Sequence, residues 1–134
     1  MAEFIMKHLV HQAGCSCNYE IASAAVSTEE IGNNIYPPAK RILTAKGIPF
    51  TRRAARQMTQ ADYCYYDHII CMDRSNLRWM RYIIGEDTDN KVSLLMSWGN
   101  ENRDVADPWY TGDFETAYND ILTGCRCLLN KLSS

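Results

Sequence analysis

Apolar residues repeat every three or four positions at both ends of the chain, which predicts a helix at each end. The first helix is expected to end near Gly14, because glycine suits the left-handed residue that follows many helices. The last helix is expected to begin after Asp113 and to carry the longest apolar stripe. The two stripes consist of Ala2, Ile5, Met6, Leu9 and Ala13, and of Phe114, Ala117, Tyr118, Ile121, Leu122, Cys125, Leu128, Leu129 and Leu132.

Three short segments between these helices predict β-strands. Residues 68–72 form a nearly continuous apolar run, which is typical of an interior strand in a parallel sheet covered by helices on both faces. Residues 92–96 predict a second buried strand, and residues 19–25 are expected to form a further one. The strands of the sheet would therefore come from well-separated parts of the chain.

The remaining helices are predicted from their end signals. Pro38 suits the first turn of a helix that stops at Gly47. Thr59 and Asp62 resemble a capping arrangement for a short helix through Tyr66. The cap, inward residues and final glycine of another helix are Asp73, Leu77, Met80, Ile84 and Gly85. This alternation predicts one α/β domain over residues 1–134, with a parallel sheet flanked by helices.

The composition is that of a folded domain. Hydrophobic residues make up 46% of the 134 residues and charged residues 22%, which does not indicate disorder. The formal net charge of -2 and the short Lys and Arg clusters do not predict a nucleic-acid-binding surface. No apolar run approaches the roughly 18 residues of a membrane span, and the opening helix carries Glu3 rather than a signal-peptide pattern. We expect a cytoplasmic protein without nucleic-acid or membrane partners.

Six cysteines bear on cofactors and on redox state. They are Cys15, Cys17, Cys64, Cys71, Cys125 and Cys127. Their spacing matches neither paired CxxC zinc ligands nor the dense disulfide framework of a secreted domain, so reduced thiols are expected. His11 beside the first two cysteines could be drawn as part of a metal site, but a structural zinc needs four well-spaced ligands. We expect no metal and no other cofactor.

Several short motifs occur in one order along the whole chain. They are Met1-Ala2-Glu3, Ser23-Ala24-Ala25, Glu30-Ile31-Gly32-Asn33, Ala55-Arg56-Gln57, Cys71-Met72-Asp73-Arg74-Ser75-Asn76-Leu77 and Asp107-Pro108-Trp109-Tyr110. The most specific are the Met-Asp-Arg-Ser-Asn segment after a predicted strand and the Asp-Pro-Trp-Tyr segment before the last helix. In this register the chain resembles the low-molecular-weight protein-tyrosine phosphatase family.

The resemblance implies a three-layer α/β fold and a defined chemistry. In this family the cysteine of a Cys-x5-Arg phosphate loop attacks phosphotyrosine and forms a cysteinyl-phosphate, while an aspartate protonates the leaving phenolate. Asp107 corresponds to that general acid. Trp109 and Tyr110 correspond to the walls of the phenyl-ring pocket, and Glu29 and Glu30 correspond to positions that border its entrance. Outside this register, an Asp-Pro pair would be an ordinary turn and a Glu pair an ordinary solvated face.

Three further positions correspond to groups that support the phosphate loop of the family. Asp73 and Ser75 match residues that brace the loop, and Ser23 matches a strand-end hydroxyl that supports it. Asp73 could equally serve only as a helix cap. Arg52 and Arg53 stand where the family often has a histidine, which departs from its pattern.

None of the cysteines has the spacing of the phosphate loop. The sixth residue after each, in chain order, is Ile21, Ser23, Ile70, Leu77, Lys131 and Ser133, and none is Arg. We therefore expect this chain to lack the nucleophile and to be catalytically inactive, in a family that hydrolyses phosphotyrosine proteins and small aryl phosphates. A partner-binding module on the same fold and a relative of the arsenate reductases are alternatives, although arsenate reduction also requires the missing cysteine.

The resemblance further implies that the first strand of the family lies upstream of Met1. Loss of a central strand removes on the order of 10 kcal/mol of apolar burial, which rivals the stability of a typical domain. The neighbouring strands would then expose unpaired backbone edges. We expect an N-terminally truncated domain whose sheet is rearranged or completed by homo-oligomerisation.

Overall fold

The computed structural model describes residues 1–25, 37–51, 56–106 and 113–133. Its helices and strands alternate along the chain, as the sequence predicts. In order, they are α1 (Ala2–Gln12), α2 (Pro37–Ala45), α3 (Gln60–Tyr65), β1 (Ile69–Cys71), α4 (Arg74–Ile84), β2 (Val92–Leu94) and α5 (Phe114–Ser133). Two short 3₁₀ helices cover Ser16–Asn18 and Leu95–Gly99.

The helix ends confirm the predicted caps. The Thr59 side chain accepts a hydrogen bond from the Asp62 amide, and the Asp62 side chain accepts one from the Thr59 amide, so α3 opens with a capping box. Arg56 forms a bidentate pair with the same carboxylate at 2.8 and 3.2 Å. The hydrogen bonds from Arg56 lower the pKa of Asp62. Gly85 ends α4 with a positive φ of 72°, which glycine adopts readily.

The two named strands form a parallel pair with Ile69 opposite Val92 and Cys71 opposite Leu94. Both strands are shorter than predicted, because the chain turns into a 3₁₀ helix at Leu95 and into α4 after Cys71. α4 forms the crossover between them, as a parallel pair requires.

The strand predicted at residues 19–25 is wrong in extent. Only Ala25 makes a bridge, to Gln57. The Ala25 amide donates a hydrogen bond to the Arg56 carbonyl at 2.7 Å, and the Ala25 carbonyl accepts one from the Met58 amide at 2.8 Å. Residues 19–24 have extended-type composition but make no ladder with a described segment, and the ladder is what defines a strand.

The described core has two parts, one on each side of the strand pair. The larger part is built by α1, α2, α5 and the 3₁₀ helix at Leu95–Gly99, and its fully buried side chains are Ile5, Leu43, Leu95 and Met96. The smaller part lies under α3 and α4 and contains Met58, Tyr63, Ile69, Cys71, Met80 and Leu94. Ile70 packs against the larger part while its neighbours Ile69 and Cys71 belong to the smaller one, which confirms a sheet with both faces covered.

The turn between α4 and β2 is organised by Asp87. Its carboxylate accepts hydrogen bonds from the Tyr63 hydroxyl at 2.5 Å and from the Lys91 and Val92 amides at 2.8 and 2.9 Å. Burial alone would raise the pKa of Asp87, but these three hydrogen bonds outweigh it and lower the pKa. Lys91 in turn reaches the Tyr63 carbonyl at 2.8 Å, so α3 and the start of β2 are joined through one polar cluster.

Candidate active site at the carboxyl end of β1

The carboxyl end of β1 is joined to a segment that lies far ahead in the sequence. The Met72 amide donates to the Asn76 side chain at 3.1 Å, and the Met72 carbonyl accepts from the Val105 amide at 2.9 Å. Ligands of open α/β sheets bind outside the carboxyl ends of the strands. Residues leading up to the predicted acid segment therefore lie at the edge where such ligands collect.

The first residue of α4 makes a second connection to the same segment. The Arg74 amide donates to Asp104 at 3.0 Å, and its guanidinium donates to the side chain and carbonyl of Asn102 at 2.8 and 3.0 Å. The guanidinium also lies 3.8 Å from the Asp104 carboxylate, but both side chains are about half exposed, so this ion pair adds little. Residues 102–105 are thus held against both the end of β1 and the start of α4.

Asp120 on α5 fixes the point where the chain enters residues 107–112. Its carboxylate accepts two hydrogen bonds from the Arg103 guanidinium, at 2.9 and 3.0 Å, and a third from the Ala106 amide at 2.9 Å. The Arg103 hydrogen bonds lower the pKa of Asp120, and the Ala106 amide adds to this effect. The side chain of Asp120 is only 13% exposed, so its carboxylate is largely shielded from solvent.

Asp113 fixes the point where the chain leaves the same stretch. Its carboxylate accepts from the Thr116 amide at 3.0 Å and from the Thr116 hydroxyl at 2.5 Å, which caps the first turn of α5. These bonds lower the pKa of Asp113. The sequence predicted that this helix begins after Asp113, but it did not indicate the cap itself or the pairing of Arg103 with Asp120, because an acidic residue on the polar side of a helical stripe is ordinary.

Most of the predicted site residues lie outside the described ranges. They are the predicted acid Asp107, the predicted ring walls Trp109 and Tyr110, and the predicted entrance residues Glu29 and Glu30. The structure describes the backbone on both sides of residues 107–112. The preceding flank is hydrogen-bonded to Asp120 of α5 through the Ala106 amide, and the following flank leads directly into α5.

The three predicted support residues are described and lie in two places. Asp73 is the N-cap of α4, where its carboxylate accepts from the Asn76 amide at 2.8 Å, and Ser75 lies in the first turn of that helix. Ser23 instead donates to Glu3 in the first turn of α1 at 2.6 Å. Lys7 pairs with the other oxygen of Glu3 at 2.6 Å. Within the described ranges no hydrogen bond joins Ser23 to Asp73 or Ser75.

Two of the cysteines are unsuited to act as nucleophiles. Burial raises the pKa of Cys71 to about 11, with a further contribution from the charge of Asp73. Burial also raises the pKa of Cys125 to about 12. The thiolate is the nucleophilic form, and a group with such a pKa is almost entirely protonated at neutral pH. All six cysteines lie in the described ranges, and all are free thiols.

The described residues contain no group of three His, Cys, Asp or Glu side chains that could hold a metal ion. No helix in this part of the chain combines the length and apolar character needed to cross a membrane.

Comparisons with known proteins give one consistent result. The family model described as low molecular weight phosphotyrosine protein phosphatase matches residues 1–134. The low molecular weight protein-tyrosine-phosphatase YfkJ of Bacillus subtilis is 34% identical, with 96% of this chain and 84% of that protein aligned. The low molecular weight phosphotyrosine protein phosphatase of Homo sapiens is 36% identical, with 98% and 85% aligned.

Solved structures agree with the sequence matches. The crystal structure of YfkJ superposes with a TM-score of 0.93 at 32% identity, covering 98% of this chain and 84% of that one. The phosphatase from Streptococcus pyogenes superposes with a TM-score of 0.88 at 34% identity, covering 99% and 83%. These matches confirm the three-layer α/β fold. The chain belongs to the low molecular weight phosphotyrosine protein phosphatase family.

Proposed function

We propose that this polypeptide has the substrate-side half of a phosphotyrosine phosphatase site and is inactive because its own cysteines cannot form the phosphate loop. The observation that carries the proposal is the spacing of the cysteines, none of which is followed by Arg at the sixth position. In such a loop the backbone amides and the Arg side chain hold the phosphoryl oxygens, and a nearby helix N-terminus stabilises the thiolate. A cysteine outside such a loop has neither the groups that hold the phosphoryl oxygens nor the helix N-terminus that stabilises its thiolate.

The surroundings of three of the cysteines support the same proposal. Cys71 comes closest to the candidate site, because it ends β1, but burial and the neighbouring Asp73 keep its thiol protonated. Cys125 lies on α5, faces the larger part of the core and is only 2% exposed. The Cys15 thiol donates a hydrogen bond to the Val10 carbonyl at 3.6 Å. It therefore lies at the C-terminal end of α1 and not at a helix N-terminus that could bind an anion.

We assign the remaining roles of the site from the family register. Asp107 would protonate the phenolate leaving group, Trp109 and Tyr110 would flank the phenyl ring, and Glu29 and Glu30 would border the entrance. The anchoring of both flanks supports the role of Asp107, because a general acid must be held within hydrogen-bond reach of the leaving oxygen. Phosphotyrosine in proteins and small aryl phosphates are the proposed substrates of the complete site.

An assay with para-nitrophenyl phosphate tests the catalytic proposal. The purified 134-residue polypeptide is expected to show no thiol-dependent turnover, whereas a version extended upstream by a family-type strand and Cys-x5-Arg loop is expected to be active. In the extended version, Asp107→Asn should lower kcat by about 10²- to 10⁴-fold, since that is the usual contribution of a general acid.

The same assay has outcomes that contradict the proposal. Turnover by the unextended polypeptide that iodoacetamide abolishes would show that one of its own cysteines is the nucleophile. An extended version that folds but stays inactive would favour a module that only binds partners. A matched control is Asp89→Asn, which removes one exposed carboxylate from the turn after α4 and should leave kcat unchanged.

We also propose that this polypeptide is a cytoplasmic homo-oligomer. The free state of all six cysteines supports a reducing compartment. The oligomer is supported by β1, whose residues pair with β2 on one side only among the described segments. An interior-type apolar strand with an unpaired edge favours pairing with another chain.

Light scattering coupled to size-exclusion chromatography tests the oligomer. We expect a molar mass that is a multiple of the 15.3 kDa chain and that falls on dilution. A folded, monodisperse monomer at all concentrations would refute the proposal.

A further inference from the structure

α4 presents an unusual outer surface that the catalytic proposal does not use. Trp79 is 55% exposed and Tyr82 is 83% exposed, and their rings lie 5.5 Å apart at a tilt of 47°. Arg78 and Arg81 alternate with these aromatic residues in sequence and are both exposed. At 100° per residue, Arg78 and Tyr82 lie opposite the buried Met80, and Trp79 and Arg81 lie about 100° to either side of it. Together these four residues cover the exposed half of α4, named here the Arg-aromatic face.

The charges of this face are uncompensated. Arg74, one turn earlier, is already paired with Asp104 and Asn102. Within the described part of the chain neither Arg78 nor Arg81 makes an ion pair or hydrogen bond. Helix α4 carries no acidic residue, although the chain as a whole has a net charge of -2. The face is therefore a local concentration of positive charge.

A shallow apolar pocket adjoins the same face. It is lined mainly by Leu77, Met80, Ile84 and Val92, and Arg81 belongs both to its rim and to the Arg-aromatic face. Asp87 also lines it, but three hydrogen bonds from Tyr63, Lys91 and Val92 occupy its carboxylate. A side chain entering this pocket would meet apolar walls with a guanidinium beside them.

We propose that the Arg-aromatic face of α4 docks an acidic peptide segment of a partner protein. Two guanidinium groups would pair with carboxylates of the segment, Trp79 and Tyr82 would cover it, and one apolar side chain of the segment would enter the pocket beside Arg81. Trp, Tyr and Arg are the residues that most often dominate binding energy at protein interfaces. Arg is also the side chain best suited to bidentate carboxylate recognition.

An anionic membrane is the competing partner for such a face, and the observations favour the peptide. A basic residue near an anionic membrane increases binding by about fivefold, so two free arginines give only about 25-fold. Stable membrane attachment by a helix also needs a broad apolar surface. Here the apolar residues of α4 face the core, and only two aromatic rings are exposed.

Phage display of random peptides tests the docking surface. Peptides are selected on the wild-type chain after depletion on the Trp79→Ala/Arg81→Ala double variant. Recovered sequences are expected to be enriched in Asp and Glu around one apolar residue. A synthetic copy of a recovered peptide should bind about 30-fold more weakly to Trp79→Ala and about 10-fold more weakly to Arg78→Ala, as measured by fluorescence anisotropy.

Matched controls separate docking from general charge attraction. Arg41→Ala on α2 and Arg126→Ala on α5 each remove one exposed arginine and should leave affinity unchanged. Recovered peptides without acidic enrichment would overturn the proposal, as would equal losses in the Arg41 and Arg126 variants. Vesicles of phosphatidylserine and phosphatidylcholine form the last arm. Trp79-dependent binding to vesicles, with no peptide recovered, would overturn it in favour of a membrane.

Discussion

Replacing Gly124 with alanine is expected to lower the free energy of unfolding by about 1–3 kcal/mol. In an exposed helix this change would stabilise by roughly 0.5–1 kcal/mol, because glycine is a poor helix former. Here an added Cβ on α5 would lie 2.5 Å from Cγ of Leu95 and 3.1 Å from both its methyl carbons. Leu95 is 1% exposed and cannot move into solvent, so the helix and the 3₁₀ helix would have to separate.

Urea unfolding followed by circular dichroism measures this effect, and two variants make it specific. Gly99→Ala is the matched control, because its added Cβ would meet only the Cys127 sulfur at an ordinary 3.5 Å. Leu95→Ala removes the side chain that clashes, so Gly124→Ala should cost far less in that background, giving a clear coupling energy. Equal costs in both backgrounds would show that the close approach of the two segments is not the cause.

The Gly124 contact also shows where sequence reasoning reaches its limit. Glycine within an apolar stripe carries no local signal that another element approaches it. By contrast, the caps at Thr59 and Asp73 and the stop at Gly85 were predictable, because each depends only on residues within one turn. Helices were therefore predicted well, whereas contacts between distant segments were not.

The strands show the same limit, because their formation depends on contacts between distant segments. Apolar runs predicted β1 and β2 correctly as parallel and covered on both faces. The predicted strands, however, extended up to two residues beyond the observed ends. Residues 19–25 had a suitable composition, yet only Ala25 is bridged. Strand formation requires a partner backbone, and no pattern within a segment reveals whether that partner is present.

The candidate site residues were predicted only through the family register. Asp107, Trp109 and Tyr110 were predicted as a set, and that prediction is untested, while no residue pattern indicated how the chain on either side of them is held. The structure supplies that information through Asp120 and Asp113, which bind the two flanks to one helix. Asp87 was missed for the same reason, since one of its partners, Tyr63, comes from α3, 24 residues earlier in the chain.

Replacing Asp120 with asparagine is expected to lower the free energy of unfolding at neutral pH by about 2 kcal/mol, because hydrogen bonds to a charged group contribute about 1.5–3 kcal/mol. The change keeps the side-chain shape but removes the charge that Arg103 pairs with at 2.9 and 3.0 Å. One amide hydrogen would also face the guanidinium. Glu115→Gln is the matched control on the same helix, since Glu115 pairs with Lys46 but is 50% exposed, and such pairs contribute little.

The pH dependence distinguishes loss of this charge from a general loss of packing. The pKa of Asp120 is lower in the folded state than in the unfolded chain, so the carboxylate stabilises the fold fully above its unfolded pKa of about 4. That contribution disappears as the pH falls through the lower, folded pKa. The difference in unfolding free energy between wild type and Asp120→Asn should therefore be constant near neutrality and shrink steadily below about pH 4. Because the lowered pKa values of Asp62 and Asp87 affect both proteins equally, they cancel in this difference. A difference that stays constant down to pH 2 would mean that the Arg103 pair does not stabilise the flank of residues 107–112.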